Sequence, residues 1–177
     1  MEYQGRDDLR DRVAGYLRAH HTMTIATMGP AAAAPGAPRG APQGGPGGNV
    51  PHAASVFYAV DDALRLVFLS RPTSTHALHI GRCAPVAVTV SEDYGDCEMI
   101  QGVQLWGAAR PLGGAAKAVA LALYLGRFPF VRDMAKRPRV AEIVRSIGVY
   151  RVEPERAAFT DNTTGVFGRE VLELVLE

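Results

Sequence analysis

Hydrophobic residues recur along this chain with two different periods. From Arg6 to His20 the apolar side chains Leu9, Val13, Tyr16 and Leu17 fall at i, i+4, i+7 and i+8, which predicts an amphipathic helix. Directly after it, TMTIATM alternates between polar and apolar residues and is rich in β-branched side chains, so it predicts a strand. The chain therefore begins with a helix followed by a strand.

The strand pattern dominates from Pro51 onwards. PHAASVFYAV and ALRLVFLS predict two strands joined by a polar turn, and PVAVTVSE predicts another. CEMIQGVQLWGAARPL predicts a long strand with bulges or bends at Gly102 and Gly107. Residues 114–126 predict a helix that stops at Gly126, and the helical pattern continues in VRDMA and RVAEIVRSI. The last two segments, VYRVEPERAAFTDN and EVLELVLE, are strand-like. Many short strands in succession with few helices favour a mainly β protein with helices (α+β), built as an antiparallel barrel.

One segment follows neither period. Residues 30–49 are almost entirely Ala, Gly and Pro, so they cannot bury a hydrophobic face. The stretch before them is too short to form a domain of its own. We therefore expect a single domain over residues 1–177, with residues 30–49 as a low-complexity loop inserted between neighbouring strands.

Composition narrows the function classes. Lys and Arg number 19 and Asp and Glu 18, which leaves a formal charge of +1 and argues against a general nucleic-acid-binding protein. Cys83 and Cys97 have the spacing of neither a disulfide framework nor a metal site. The charged N-terminal segment is not a signal peptide, and no apolar run is long enough for a membrane span. We expect a cytoplasmic protein with neither nucleic acid nor a membrane as partner.

Polar chemistry is concentrated in RPTSTHALHI, which follows the strand-like VFLS. Ser74 is placed to cap a short helix, the ordinary role of serine at such a position. The start of a helix also presents unpaired N–H groups, and Arg71, Thr73, Ser74, Thr75 and His76 add donors around it, a combination that suits a phosphate. Taken alone, the segment is consistent with either a helix cap or an anion site.

Other chemical motifs are missing from the sequence. There is no GxGxxG after a strand, no GxxxxGK[ST] and no GxSxG. His76 and His79 are three residues apart on the predicted short helix, but no third metal ligand is evident. No single residue names a reaction.

The order of the segments is more informative. TIATMG, PHAASVFYAVDDALRLVFLS, TSTHALHIGRCAPVAVTV and GVQLWGAARPL resemble, in this order, the pyridoxamine 5'-phosphate oxidase-like, flavin-binding split-barrel superfamily over roughly residues 8–112. The tail AAFTDNTTGVFGRE is similar to that of a poorly characterised bacterial branch of the same superfamily. The resemblance implies a six-stranded antiparallel split β-barrel, a homodimer, and flavin mononucleotide (FMN) in a cleft at the subunit interface.

The resemblance also implies which residues contact the cofactor. The flavin is expected along the strand that starts at His52, and its phosphate at the end of the next strand and at a Ser-Arg-Lys-like triplet. That triplet reads Ser74, Thr75, His76 here, so two cationic residues of the family are replaced, and Arg71 is placed to restore one charge. The full set of expected contacts is His52, Ala54, Ser55, Val56, Phe57, Leu69, Ser70, Arg71, Ser74, Thr75, His76 and Gln104.

These replacements leave three functions open. The first is an FMN-dependent oxidoreductase acting on a small molecule, in which the flavin carries the redox chemistry. The second is a haem protein or haem enzyme on the same fold, with His52, His76 or His79 as axial ligand. The third is a non-catalytic small-molecule binder or sensor. Relatives that use a deazaflavin coenzyme add an alternative cofactor.

Overall fold

The computed structural model describes residues 2–30, 48–134, 136–137, 142, 146–165 and 168–174. In chain order the elements are α1 (Glu2–Ala19), β1 (Thr22–Pro30), β2 (Asn49–Val60), β3 (Leu66–Ser70), α2 (Thr75–Ile80), β4 (Pro85–Ser91), β5 (Gln101–Pro111), α3 (Gly114–Arg127), α4 (Pro129–Met134), β6 (Gly148–Asp161) and β7 (Arg169–Glu173). Two 3₁₀ turns, Cys97–Met99 and Asn162–Thr164, precede β5 and β7. The predicted succession of helices and strands is confirmed for these residues.

The seven strands form one antiparallel sheet in the order β3-β2-β1-β4-β5-β6-β7. Because β3 also pairs with the first part of β6, from Leu66 opposite Val152 to Ser70 opposite Gly148, strands β1 to β6 close into a ring. The second part of β6 pairs with β7, which lies outside the ring. The α+β class is confirmed, and β7 is a seventh strand that the six-stranded expectation did not include.

The two glycines of strand β5 differ in their backbone geometry. Its register on β6 shifts between Trp106 and Gly107, so the predicted bulge at Gly107 is confirmed, and a Cβ there would lie only 2.7 Å from Cα of Pro154. Gly102 pairs in regular register with both neighbouring strands, so there is no bulge at this residue. The strand also starts later than predicted, because the residues before Gln101 form the 3₁₀ turn.

The main core fills the ring, and α1 covers it. The apolar stripe predicted for α1 is buried in this core, with Val13 and Leu17 fully inaccessible. The hydroxyl of Tyr58, at the end of β2, donates to the Leu17 carbonyl at 2.6 Å. A smaller cluster on the outside of the ring packs Tyr124 and Phe128 against β2, β3 and β6. The predicted helix stop at Gly126 is wrong by one residue, since α3 runs to Arg127.

The short helix α2 packs against the other end of β1. The Thr27 and Gly29 positions of β1 face it, and a Cβ on Gly29 would overlap the ring of His79. This contact places the start of α2 beside the beginning of β2 and the end of β3. Three segments that are distant in sequence therefore meet there.

Some predicted features lie outside the described residues. They are most of the inserted loop at residues 30–49, six of the nine residues of the helix predicted from RVAEIVRSI, and the last three residues of EVLELVLE. Within the described part of the chain, no helix has the length and apolar character needed to cross a membrane.

Candidate phosphate-binding site

A pocket of about 410 Å³ opens where β2, the end of β3 and α2 meet. Seven residues line it: His52, Ala54, Arg71, Thr73, Ser74, Thr75 and His76. Six of the seven are predicted cofactor contacts, and Thr73 was among the donors noted in the sequence. The fold thus brings together two stretches that are separated by a strand and a turn.

Three polar atoms meet beside this pocket, two of them from the lining residues Ser74 and His76 and the third from Ser70 directly behind them. The Ser70 Oγ lies 2.7 Å from His76 Nε2 and 3.0 Å from Ser74 Oγ, and Ser74 Oγ lies 3.1 Å from His76 Nε2. Ser74 has an extended backbone and accepts from the Ala77 N–H at 3.4 Å, so the predicted helix cap is confirmed. Either serine hydroxyl can donate or accept, and His76 Nε2 can donate when it carries a proton.

The charge around the pocket favours an anion. Arg71 is exposed and lines the pocket, whereas none of the seven described lining residues is acidic. Burial, together with the nearby His52 and His79, holds the pKa of His76 below its usual value. Helix α2 is only six residues long. An anion in this pocket would therefore depend on the side chains more than on a helix dipole.

Three histidines cluster behind and beside the pocket. The His52 ring stacks at 6.0 Å on His76 and meets His79 edge-on, also at 6.0 Å. His79 is inaccessible, with Nδ1 3.2 Å from Thr27 Oγ1 and with Nε2 lacking a hydrogen-bond partner among the described residues. Burial, followed by the proximity of His52, lowers the pKa of His79. The described residues contain no group of three or more His, Cys, Asp or Glu side chains that could hold a metal ion.

These contacts bear on the haem alternative. His79 reaches no open surface, and Nε2 of His76 is held by two serine hydroxyls. His52, which is partly exposed in the pocket wall, is the histidine best placed to meet a ligand.

The predicted contacts along β2 divide between the two faces of the strand, because successive side chains of a strand point in opposite directions. His52 and Ala54 line the pocket, and Val56, on the same face, packs on the main core. Ser55 and Phe57 lie on the other face, where Phe57 is 46% exposed. Leu69, also a predicted contact, packs on the outer cluster formed by α3.

Gln104 lies away from the pocket, on the outer face of β5. It lines a separate depression of about 280 Å³ together with Trp106, and its Oε1 accepts from Arg169 at 2.8 Å. The Arg169 guanidinium lies 5.5 Å from the centre of the Trp106 ring. Sequence reasoning missed Arg169, since no local pattern links it to a residue 65 positions earlier.

A larger cleft, of about 610 Å³, lies between α1 and the connection from β4 to β5. Arg12 lies 3.7 Å from a carboxylate oxygen of Asp161 in this cleft, and His20 Nε2 lies 3.0 Å from a carboxylate oxygen of Glu92. Both carboxylates line the cleft, and a negative charge in the lining disfavours an anionic ligand. The smaller pocket at α2 is therefore the stronger candidate for an anionic ligand.

Comparison with known proteins gives a family and a fold. No protein-family model matches the chain. The chain is 34% identical over 119 residues to UPF0306 protein YhbP of Salmonella schwarzengrund, a match that covers 67% of this chain and 73% of that protein. The chain belongs to the UPF0306 family.

Solved structures share the fold at low sequence identity. A candidate pyridoxamine 5'-phosphate oxidase of Listeria innocua matches with a TM-score of 0.56 and 15% identity, over 86% of this chain and 98% of that one. A heme binding protein of Mycobacterium smegmatis matches with a TM-score of 0.62 and 15% identity, over 89% of this chain but about half, 55%, of that one. These likenesses show a common split-barrel-like fold.

Proposed function

We propose that this member of the UPF0306 family is a flavoprotein that binds FMN and acts as a homodimeric oxidoreductase on a small molecule. The fold would be a six-stranded split barrel of the flavin-binding type, with β7 added at its edge. The pocket at α2 would hold the phosphate of the cofactor. Most of the predicted contacts come from the resemblance to the flavin-binding superfamily. The pocket is the feature of the structure that supports FMN binding most directly.

The observation that carries the proposal is the set of donors at the pocket. Ser70, Ser74 and His76 form a triangle with sides of 2.7, 3.0 and 3.1 Å, beside the exposed Arg71. Hydroxyl groups and a guanidinium are favourable phosphate ligands, and a guanidinium can bind two phosphate oxygens at once. A pocket lined by such groups without a carboxylate fits an anion better than a cation or an apolar ligand.

When bound, the isoalloxazine ring supplies the redox chemistry. This chain's residues would fix its position: the serines, His76 and Arg71 through the phosphate, and His52 and Ala54 through contact along β2. The substrate would then be chosen by the shape of the space left beside the ring.

A second copy of the chain is the proposed partner. The outer face of the sheet carries exposed apolar side chains, including Met28 at 50%, Phe57 at 46% and Trp106 at 37% exposure. Small residues lie between them, with Ala26 opposite both Ala53 and Ala87 across the strands. A homodimer needs about 800 Å² of buried surface per subunit, and a flat face of this kind is suited to provide it.

The haem alternative has less support from the side chains. Two of the three histidines are held by other contacts, which leaves His52 as the ligand to be tested. If haem binds there, His52→Ala should abolish its absorbance, whereas FMN binding would depend mainly on the serines and Arg71.

The test of the proposal is removal of the phosphate donors. Arg71→Ala combined with Ser74→Ala should weaken FMN binding at least roughly tenfold, because a charge-assisted contact and a hydroxyl contact are lost together. Riboflavin, which lacks the phosphate, should bind the variant and the parent protein alike. The matched control is Arg137→Ala with Ser91→Ala, which removes the same residue types from exposed positions outside the pocket.

Titration of flavin fluorescence measures both ligands. Unchanged FMN affinity in the pocket variant would place the phosphate elsewhere. A loss that is equally large for riboflavin would show damage to the fold or the ring site instead.

A further inference from the structure

His76 is the one titratable donor of the proposed phosphate site. Its Nε2 lies 2.7 Å from Ser70 Oγ and 3.1 Å from Ser74 Oγ, and the side chain lines the pocket while its residue is only 8% exposed. It therefore contacts the two serine hydroxyls and also faces the space that the phosphate would occupy.

The groups packed around His76 disfavour its protonated form. From β2 the His52 ring stacks on it at 6.0 Å, from β3 the Phe68 ring lies at 6.1 Å, and His79 stands on the same helix. Arg71 brings a further positive charge to the pocket, and no carboxylate lines it. Burial, then the two neighbouring histidines, lowers the pKa of His76.

A bound phosphate dianion reverses this balance. Its two negative charges would lie in the pocket that His76 lines, and an opposite charge near a histidine favours the protonated form. With Nε2 protonated, the ring donates to the anion, and each serine hydroxyl becomes free to donate as well. Among the described residues of the lining, the other histidine is His52.

We propose that His76 binds the cofactor phosphate as an imidazolium, so that binding takes up a proton and the site selects a phosphate dianion over an uncharged flavin. The inference rests on the proposed function, because it assumes that the phosphate lies in this pocket. The affinity for FMN would then depend on pH through His76, which stands where the resembling superfamily carries a permanent cation.

The sign of the pH effect follows from linkage. In this proposal the pKa of His76 is higher in the complex than in the free protein. At a pH below the pKa of the free protein, His76 does not change the FMN dissociation constant. Between the pKa of the free protein and that of the complex, the dissociation constant rises by up to about tenfold for each pH unit. The phosphate itself loses its second charge below about pH 6, so the informative window is roughly pH 6.5 to 8.

The experiment is a titration of the full chain with FMN and with riboflavin across this window, in buffers free of phosphate. We expect the FMN dissociation constant to rise at least roughly fivefold from the acid to the alkaline end, and that of riboflavin to stay constant. Calorimetry in two buffers of different ionisation enthalpy should show net proton uptake with FMN and none with riboflavin.

Three variants separate His76 from its neighbours. His76→Lys places a permanent charge at the position and should bind FMN with little pH dependence, while His76→Gln should bind weakly and also without pH dependence. Arg71→Gln should weaken binding at every pH but keep the slope of the parent protein. His52→Gln should likewise keep the slope, which assigns the proton to His76.

The outcomes are distinguishable. FMN binding that is tight but independent of pH in the unaltered protein overturns this inference and leaves the proposed function standing. A slope that persists in His76→Gln also overturns it, since the proton then belongs to another group. Failure of the unaltered protein to bind FMN at any pH overturns the proposed function, and this inference with it. The titration of the unaltered protein decides the matter even if a variant fails to fold.

Discussion

Replacing Thr75 by arginine should strengthen FMN binding. Thr75 is the first residue of α2, is half-buried and lines the candidate pocket between Ser74 and His76. The flavin-binding superfamily that the sequence resembles carries a cation at the matching position, whereas this chain has a neutral hydroxyl there. Thr75→Arg adds a permanent charge directly beside the triangle of donors.

The size of the effect can be estimated from the position of the side chain. A hydrogen bond to a charged group contributes about 1.5–3 kcal/mol, and the lower half of that range applies because the pocket is open to solvent. Each 1.4 kcal/mol is a factor of ten, so FMN should bind roughly ten- to thirtyfold more tightly. An arginine in the first turn of a helix costs at most about 1 kcal/mol of stability, which a melting curve would detect.

Fluorescence quenching of FMN at physiological salt and pH 8 measures this gain. The matched control is Thr163→Arg, which adds the same charge at an exposed residue of the second 3₁₀ turn, outside the pocket. Riboflavin affinity should be unchanged in both variants. An FMN affinity that Thr75→Arg leaves unaltered, or an equal gain for riboflavin, would refute the placement of the phosphate.

Three further predictions concern stability. Tyr58→Phe removes a 2.6 Å hydrogen bond to a buried carbonyl of α1 and should lower the free energy of unfolding by about 1–2 kcal/mol. Urea titration measures this change, and an unchanged midpoint would show that the bond contributes little. Burial raises the pKa of Tyr124 to about 12, so the stability it contributes is complete below its unfolded pKa of 10 and is lost as the pH rises through 12. The unfolding free energy should therefore fall above pH 10, by up to about 1.4 kcal/mol per pH unit for this group, and less steeply in Tyr124→Phe. Gly107→Ala should lower the free energy of unfolding by about 1–3 kcal/mol, because the new Cβ would lie 2.7 Å from Cα of Pro154. The control is Gly113→Ala, whose Cβ meets nothing within 4 Å and should have little effect on packing.

Much of the fold could be predicted because its elements are buried on one side. The apolar stripe of α1 and the alternation of polar and apolar residues in β1 indicate which side of each element is buried. Both patterns match the accessibility of the residues in the structure. Ring closure could not be predicted in the same way, since it depends on pairing Leu66 with Val152, and nothing local to either residue specifies the other. The 3₁₀ turn before β5 was missed because CEMIQ reads as a continuation of the strand.

The same distinction between local and long-range features applies to the candidate site. Ser70, Ser74 and His76 lie within seven residues of one another, so the concentration of donors is visible in the sequence, and the helix cap at Ser74 follows from local rules. The stacking of His52 on His76 depends on the contact of α2 with the sheet and could not be read from either segment. Gln104 was grouped with these residues by resemblance alone, and the structure of the single chain places it in another depression.

The absorption spectrum of the protein tests the central claim most directly. After incubation with excess FMN and removal of free ligand by gel filtration, we predict that the chain elutes with flavin bands at about 370 and 450 nm, in a ratio of about one flavin per chain. The same treatment with haem should leave no Soret band at about 400 nm. A stable Soret band without flavin binding, or a protein that retains neither cofactor, would contradict the assignment of this chain as a flavoprotein.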